Sequence, residues 1–233
     1  MSESGLQVIG HVYSDFETKF GIQRQSSIVG EALSRVVMEP EFRREEFFRG
    51  LEEFSHIWLI WQFSENLQSG WSPTVRPPRL GGNTRVGVFA TRSPFRPNPV
   101  GLSCVRLERI EQDAELGTVL WVAGADLMNG TPVFDIKPYV PYCDAWPEAR
   151  GGFAVPPQGH LLRVEAADAV LAPLAAEKRA ALLAALAQDP RPAYQDDPER
   201  VYGMRFAGLD VRFVVDGGVL RVLELTPAAA GNR

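Results

Sequence analysis

Short runs of alternating apolar and polar residues dominate roughly the first 145 positions of the chain. This period-two pattern is typical of β-strands that bury one face. Gly and Pro residues separate the runs, as expected for the connections between short strands. Leu6–Val12 and Arg85–Thr91 alternate in this way, whereas Phe54–Phe63 is a continuous apolar run. Val100–Ile110, Val119–Ala125 and Val133–Ile136 are further predicted strands. Many short strands of this kind predict a closed or nearly closed β-barrel.

A different pattern follows the Pro- and Gly-rich segment 146–158. A helix is predicted from Ala169 to Gln188, with Asp168 as its cap and Pro190 as its stop. A strand over His160–Glu165 precedes it, and a hairpin with the turn Asp216–Gly218 ends the chain. The predicted fold is mainly β, with an N-terminal β-barrel (1–145), a linker (146–158) and a small α+β C-terminal domain (159–233).

Charge is distributed unevenly along the chain. The net charge is −5, yet no acidic residue lies between Glu65 and Glu108, where six arginines occur. Such a patch on an acidic protein favours a local anionic ligand, although a solvated arginine-rich surface is the alternative. No apolar run is long enough to span a bilayer, and the first ten residues contain no signal sequence. Two cysteines agree with a reducing compartment, so we expect a cytoplasmic location.

The common catalytic motifs are absent. The sequence contains no phosphate-binding P-loop, no dinucleotide-binding glycine motif, no nucleophile elbow and no HExxH zinc motif. Three scattered histidines and no paired-cysteine motif also argue against a metal site. A Rossmann nucleotide site, a serine hydrolase and a zinc protease are therefore disfavoured.

Two segments contain the candidate chemistry. The first, Pro73–Gly101, has six prolines and four glycines in 29 residues, which predicts stiff loops that hold arginines. These prolines could instead close barrel corners while the arginines stay solvated. The second, Asp126–Asp144, combines carboxylates with Lys137 and two tyrosines, groups that can bind a polar ligand or act as acid and base. The alternative is that each of these residues only ends a strand or forms a turn.

Four motifs together resemble the TsaA-like family, specifically its bacterial TrmO branch. They are KFGIQRQ (19–25), GLEEFSHIWLIWQF (50–63), TVRPPRLGGN followed by RVGVFATRSPFRPNPVGLS (74–103), and the segment 126–145 with NGTPVFDIKPYVPY. The resemblance extends to LAQDPRPAY (186–194) and so covers nearly the whole chain. It implies a tRNA methyltransferase that acts on N6 of threonylcarbamoyladenosine beside the anticodon.

The resemblance also implies a β-barrel that binds S-adenosylmethionine, and a homodimer with the cofactor near the subunit interface. The cofactor residues, matched by position, are Gln23, Arg24, Gln25, Ser64, Glu65, Arg92, Leu102, Asn129, Gly130, Thr131 and Pro132. Three of them depart from the family pattern: Gln23 replaces a proline, Ser64 a common histidine and Asn129 an aspartate. Backbone contacts would survive these changes.

The cofactor's chemistry fits these residue types. Its carboxylate needs an arginine or backbone N–H groups, and its adenine needs an apolar slot that Leu102 could line. Methyl transfer is an in-line displacement, so alignment should dominate catalysis. The N6 proton lies next to a carbonyl group and needs no strong base, and Asp135 and Tyr139 are the candidate proton acceptors. For RNA phosphates, the candidates are Arg76 and Arg79 in the VRPPR turn.

Two alternatives to the tRNA methyltransferase remain at this point. One is a methyltransferase of the same fold that acts on another RNA or on a small molecule. The other is a non-catalytic RNA-binding module. The added C-terminal domain favours an RNA substrate over a small molecule, because a small-molecule enzyme has little need for it.

Overall fold

The computed structural model describes residues 5–18, 32–77, 80–154, 161–191 and 197–228. In the first part of the chain the elements are β1 (Gly10–Tyr13), β2 (Leu33–Met38), β3 (His56–Gln62), β4 (Thr74–Val75), β5 (Val86–Gly87), β6 (Val100–Asp113), β7 (Gly117–Ala123) and β8 (Thr131–Pro138). They are followed by α1 (Pro141–Asp144), β9 (Arg163–Glu165), α2 (Asp168–Leu171), α3 (Ala176–Ala187), β10 (Tyr202–Phe206), β11 (Leu209–Asp216) and β12 (Val219–Pro227).

Six strands form a closed barrel in the order β1-β2-β7-β6-β3-β8, and every neighbouring pair is antiparallel. Alternation places one set of side chains inside: Ile57, Leu59 and Trp61 of β3 are buried, while the residues between them are half-buried. Val12 and Leu120 meet them in the same core. The mainly β fold with an N-terminal barrel, predicted from many short strands separated by Gly- and Pro-rich connections, is confirmed.

Two details of the barrel differ from the prediction. Arg85–Thr91 is not a barrel strand, because only the two-residue β5 pairs there, with β4, and a 3₁₀ turn follows. Within this run Val88 is buried, whereas Phe89 is 81% exposed. The sequence interpretation also missed β2, a short strand that closes the barrel between β1 and β7.

The C-terminal part contains a four-stranded sheet in the order β10-β11-β12-β9, packed with α2 and α3. The predicted hairpin is confirmed as β11 and β12. The single predicted helix is wrong in its continuity, because the chain forms two helices separated at Pro173, which interrupts helical hydrogen bonding. Asp168 is the first residue of α2 and Ala167 is the N-cap, so the predicted cap was one residue late.

The segment after β1 connects the two parts of the molecule. Phe16 is 1% exposed and packs against Phe206, with the ring centroids 5.4 Å apart. The Ala207 N–H donates to the Asp15 carbonyl oxygen at 2.8 Å. Lys178 of α3 forms an ion pair with the Asp15 carboxylate at 2.7 Å. Barrel and C-terminal part therefore share packed contacts, and the division into 1–145, 146–158 and 159–233 stays a prediction.

Candidate functional site

The connections β1–β2, β3–β6 and β7–β8 emerge at one end of the barrel. Because the strands alternate in direction, the C-terminal ends of β1, β3 and β7 and the N-terminal ends of β2, β6 and β8 share that end. Of the predicted cofactor residues, those that the structure describes lie in these connections or just inside them: Ser64, Glu65, Arg92, Leu102, Asn129, Gly130, Thr131 and Pro132. Gln23, Arg24 and Gln25 lie outside the described residues. We name this region the loop end of the barrel.

Ser64 and Glu65 begin the connection that leaves β3. They form a short 3₁₀ turn in which Ser64 is half-buried and Glu65 is exposed. The Phe63 N–H donates to the Pro99 carbonyl oxygen at 2.9 Å, which joins the two ends of the long 63–99 excursion. Both residues are therefore held at the rim of the barrel.

Arg92 lies in a loop that is fixed by its own hydrogen bonds. The Thr91 hydroxyl donates to the Val88 carbonyl oxygen at 2.8 Å and accepts from the Ser93 N–H at 3.2 Å. The Arg96 guanidinium donates to the Thr91 carbonyl oxygen at 3.1 Å. Arg92 itself is exposed and forms no ion pair within the part of the chain that the structure describes. Its guanidinium is thus available to an external anion.

The turn at Asn129–Thr131 uses its backbone donors internally. The N–H of Asn129 donates to the Phe16 carbonyl oxygen at 2.8 Å, that of Gly130 to Val12 at 2.7 Å, and that of Thr131 to Met128 at 3.2 Å. The Asn129 side-chain oxygen accepts from the Ser14 N–H at 3.3 Å. The turn can therefore offer a ligand its carbonyl oxygens and the Asn129 amide hydrogens, but not these backbone N–H groups.

Leu102 and Asp135 lie on one row across three strands. Leu102 of β6 is opposite Ile60 of β3, which is opposite Asp135 of β8. Paired residues share a face of the sheet, so all three side chains lie on the outer face. Leu102 is 53% exposed, and two strand spacings separate it from Asp135, roughly 10 Å. An apolar contact surface therefore lies beside a carboxylate.

The structure separates the two candidate proton acceptors. Asp135 accepts from the Ile136 N–H at 2.9 Å and forms an ion pair with Lys137 at 3.0 Å. Tyr139 lies four residues after Asp135, a distance of about 13 Å along an extended strand. The centroid of its ring lies 5.8 Å from that of Trp58. Asp135 is therefore the candidate that is close to Leu102, and Tyr139 belongs to an aromatic cluster.

That cluster includes polar contacts that the sequence did not reveal. The Asp144 carboxylate accepts from the Val140 N–H at 2.8 Å and from the Trp58 indole N–H at 3.0 Å, and these two bonds lower the pKa of Asp144. Burial raises the pKa of the Cys104 thiol, and the nearby Asp144 charge raises it further. Asp144 thus fixes α1 against β3. The composition of segment 126–144 predicted a polar site, but its sequence does not indicate that Asp144 accepts a hydrogen bond from Trp58.

A buried hydrogen-bonded chain supports the start of β6. The Trp61 indole N–H donates to the Ser103 hydroxyl at 3.0 Å, and that hydroxyl donates to the Asp126 carboxylate at 2.7 Å. Gly101 lies directly under the indole, since a Cβ there would be 2.3 Å from the Trp61 ring. Gly101 and Ser103 flank Leu102. The Trp61–Ser103–Asp126 hydrogen bonds therefore fix the part of β6 that contains Leu102.

Of the two predicted RNA-contact arginines, Arg76 is exposed just after β4, whereas Arg79 lies outside the described residues. Within the described ranges, no cluster of His, Cys, Asp or Glu could hold a metal ion. In the same ranges, no helix has the length and apolar character needed to cross a membrane.

Comparison with known proteins identifies the family. The model of the tRNA-methyltransferase O N-terminal domain matches residues 11–145, and that of the TrmO C-terminal domain matches residues 160–228. A protein from Eikenella corrodens named tRNA (adenine(37)-N6)-methyltransferase is 50% identical over 178 residues, which cover 76% of this chain and 99% of that protein. An Escherichia coli protein of the same name is 38% identical and covers 97% of this chain and 100% of its own length.

Solved structures also match this chain. A crystal structure of TrmO from Pseudomonas aeruginosa matches with a TM-score of 0.77 at 36% identity, over 97% of this chain and 100% of that one. A barrel with three connections at one end is the kind of scaffold on which binding sites are built. The chain belongs to the tRNA-methyltransferase O family.

Proposed function

We propose that the protein methylates N6 of threonylcarbamoyladenosine beside the anticodon of tRNA, at the loop end of its barrel. As a member of its family it is an S-adenosylmethionine-dependent tRNA methyltransferase. What we propose beyond this activity is the requirement for the threonylcarbamoyl group and the role of each site residue. The observation that supports the site best is the Leu102–Ile60–Asp135 row beside the converging loops.

The described residues fit the cofactor. Arg92 offers an exposed guanidinium for its carboxylate. Leu102 offers an apolar surface for its adenine, and the carbonyl oxygens of the Asn129–Thr131 turn can accept from its amino groups. When bound, S-adenosylmethionine supplies an electrophilic methyl group on a sulfonium. Gln23, Arg24, Gln25, Ser64, Glu65 and Pro132 complete the proposed set.

In this proposal Asp135 orients the N6 amino group and accepts its proton. The proton adjoins the carbonyl of the threonylcarbamoyl group and is more acidic than that of an unmodified adenosine, so an ordinary carboxylate is sufficient. Asp135→Asn should lower kcat and leave cofactor affinity unchanged, because the amide is isosteric but not basic. Tyr139, in the aromatic cluster, is the weaker candidate, and Tyr139→Phe should leave kcat largely intact.

We also propose that the protein is a cytoplasmic homodimer. Several large apolar side chains of the 63–99 excursion are exposed, and burial in a subunit interface would remove them from water. They are Leu67, Trp71, Phe89 and Phe95, with exposures of 52%, 60%, 81% and 43%. Light scattering should give twice the 25.8 kDa chain mass, and a monomeric mass would contradict the dimer.

The activity is tested by incubating the purified protein with S-adenosylmethionine and two tRNA pools, one with and one without threonylcarbamoyladenosine. Mass spectrometry of the nucleosides should show an added methyl group only in the first pool. Methylation of both pools would mean that the threonylcarbamoyl group is not required. Cofactor binding without methylation of either pool would favour another substrate, and absence of cofactor binding would favour a non-catalytic RNA-binding module.

A further inference from the structure

A groove lies between the barrel and α3, on the outer face of β1, β2, β7 and β6. Its volume is about 580 Å³. Its floor is one cross-strand row, because Tyr13 is opposite Arg35, Arg35 is opposite Trp121, and Trp121 is opposite Arg109. Phenol, guanidinium, indole and guanidinium thus alternate across four neighbouring strands. We name these four residues the aromatic–arginine row.

The two arginines of the row are held by the indole. The guanidinium carbon of Arg109 lies 4.0 Å from the centroid of the Trp121 ring, and that of Arg35 lies 5.5 Å from it. Both distances are within the range of cation–π attraction. The indole N–H donates to Glu111 at 2.6 Å, which fixes the ring. Trp121 therefore orders two cationic side chains on the surface of the barrel.

The charges in the groove are partly uncompensated. Arg109 pairs with Glu111 at 3.3 Å, and Lys178 on the opposite wall pairs with Asp15 at 2.7 Å. Arg35 forms no ion pair among the residues that the structure describes. Hydrogen bonds from the Leu116 and Glu115 N–H groups lower the pKa of Asp113, and the nearby Arg35 charge lowers it further.

Glu177 adds a second carboxylate to the groove lining beside Asp15. Tyr13 is 45% exposed, so part of its side chain is accessible to a ligand. The groove lining therefore contains three cationic side chains, Arg35, Arg109 and Lys178, against the two carboxylates of Asp15 and Glu177, together with the partly exposed Tyr13 ring.

We propose that the groove binds an unpaired stretch of the tRNA substrate, with a base stacked on Tyr13 and phosphates at Arg35 and Arg109. This rests on the proposed function, since it assigns a second contact surface to the same substrate. Aromatic rings interleaved with basic side chains are typical of sites for single-stranded nucleic acid. The backbones of Arg35 and Arg109 are two strand spacings apart, roughly 10 Å, and both guanidiniums lie at the Trp121 ring, so together they can contact neighbouring phosphates of one strand.

The position of the groove agrees with such a role. Asn129 lines it and also belongs to the turn proposed to contact the cofactor at the loop end. The groove thus extends from the loop end along the outside of the barrel, bounded by α3 of the C-terminal part. This gives the C-terminal part a role as one wall of an RNA-binding groove.

The test measures tRNA affinity as a function of salt for the wild-type protein and Arg35→Ala/Arg109→Ala. Each neutralised phosphate contributes about 0.7 to the slope of log K against log salt for single strands. The double variant should therefore flatten the slope by about 1.4 units. Arg35→Lys/Arg109→Lys retains the charges and should restore most of the slope. Arg44→Ala is the matched control, because Arg44 also lies over a ring, Phe47 at 5.3 Å, but in the connection at the other end of the barrel.

Tyr13 tests stacking separately from charge. Tyr13→Ala should weaken tRNA binding by roughly fivefold or more, whereas Tyr13→Phe keeps the ring and should bind like the wild type. Cofactor affinity, measured by calorimetry, should be unchanged in every groove variant.

Three results would overturn the inference. They are unchanged slopes in Arg35→Ala/Arg109→Ala, equal binding by the two Tyr13 variants, and a change of oligomeric state in Arg35→Ala/Arg109→Ala, which would make the groove a protein interface. Each leaves the proposed function intact if the wild type methylates tRNA. A wild-type protein that binds tRNA through the groove but does not methylate it would refute only the function.

Discussion

The residues at the loop end differ in which hydrogen-bonding groups they leave available to a ligand. Arg92 has an exposed side chain in a loop that is satisfied internally, so its charge is available to a ligand. The Asn129–Thr131 turn has the opposite character, because its backbone donors are already used. A carboxylate at this end therefore has more to gain from Arg92 than from the turn.

Arg92→Ala should weaken S-adenosylmethionine binding without unfolding the protein. Loss of a hydrogen bond to a charged group costs about 1.5–3 kcal/mol, which corresponds to roughly tenfold or more in Kd. Isothermal titration calorimetry measures the change. Arg85→Ala is the control, since Arg85 is also exposed in the same segment but donates to Thr74 at 2.7 Å. Equal cofactor affinity of Arg92→Ala and the wild type would remove Arg92 from the site.

Asn129→Asp isolates the amide hydrogens of the turn. The aspartate keeps an oxygen that accepts from the Ser14 N–H, so the local fold should be unchanged. If the cofactor meets only carbonyl oxygens of the turn, Kd should stay within about twofold, and we expect this result. A large change of Kd at constant melting temperature would show instead that the Asn129 side chain contacts the cofactor.

At the scale of elements, the sequence predicted the strands and the hairpin whose positions depend on local residue patterns. Apolar runs bounded by turn residues located β3, β6, β7 and β8, and the Asp216–Gly218 turn located the final hairpin. These patterns did not locate β2, whose six residues are defined by pairing with β1 and β7 rather than by their own pattern. The loop-end residues were named from motifs, but their convergence depends on strand direction. The Leu102–Asp135 row and the groove depend on register, which single-sequence patterns do not specify.

Gly101→Ala tests the support under β6. An added Cβ would be 2.3 Å from the Trp61 ring, so the indole or the strand must shift. Overpacking of this kind costs about 1–3 kcal/mol, and a shift of Leu102 should also weaken cofactor binding. Gly87→Ala is the matched control, because nothing lies within 4 Å of its added Cβ. Differential scanning calorimetry should show a lower Tm for Gly101→Ala alone, and equal Tm values would contradict the close approach.

At the scale of the whole molecule, an acidic protein must bind a polyanion. The net charge of −5 gives no general attraction to RNA, so binding depends on local arginines. The 66–107 segment and the aromatic–arginine row are the two surfaces that supply them. Affinity must then depend strongly on the shape of the loop and on the modified base. Accordingly, tRNA that lacks the threonylcarbamoyl group should be a poor substrate even at low salt.

The salt dependence of tRNA binding tests whether these two arginine-containing surfaces bind the phosphates. With three to five phosphates engaged, the slope of log K against log salt should be roughly −2 to −3.5, which is shallow for a nucleic-acid-binding protein. Arg76→Ala/Arg79→Ala should flatten it by about one to two units and leave cofactor affinity unchanged. Its effect should add to that of Arg35→Ala/Arg109→Ala, because separate sites on one ligand contribute independently. Normal methylation with an unchanged slope in Arg76→Ala/Arg79→Ala would exclude the VRPPR turn from the RNA-binding surface.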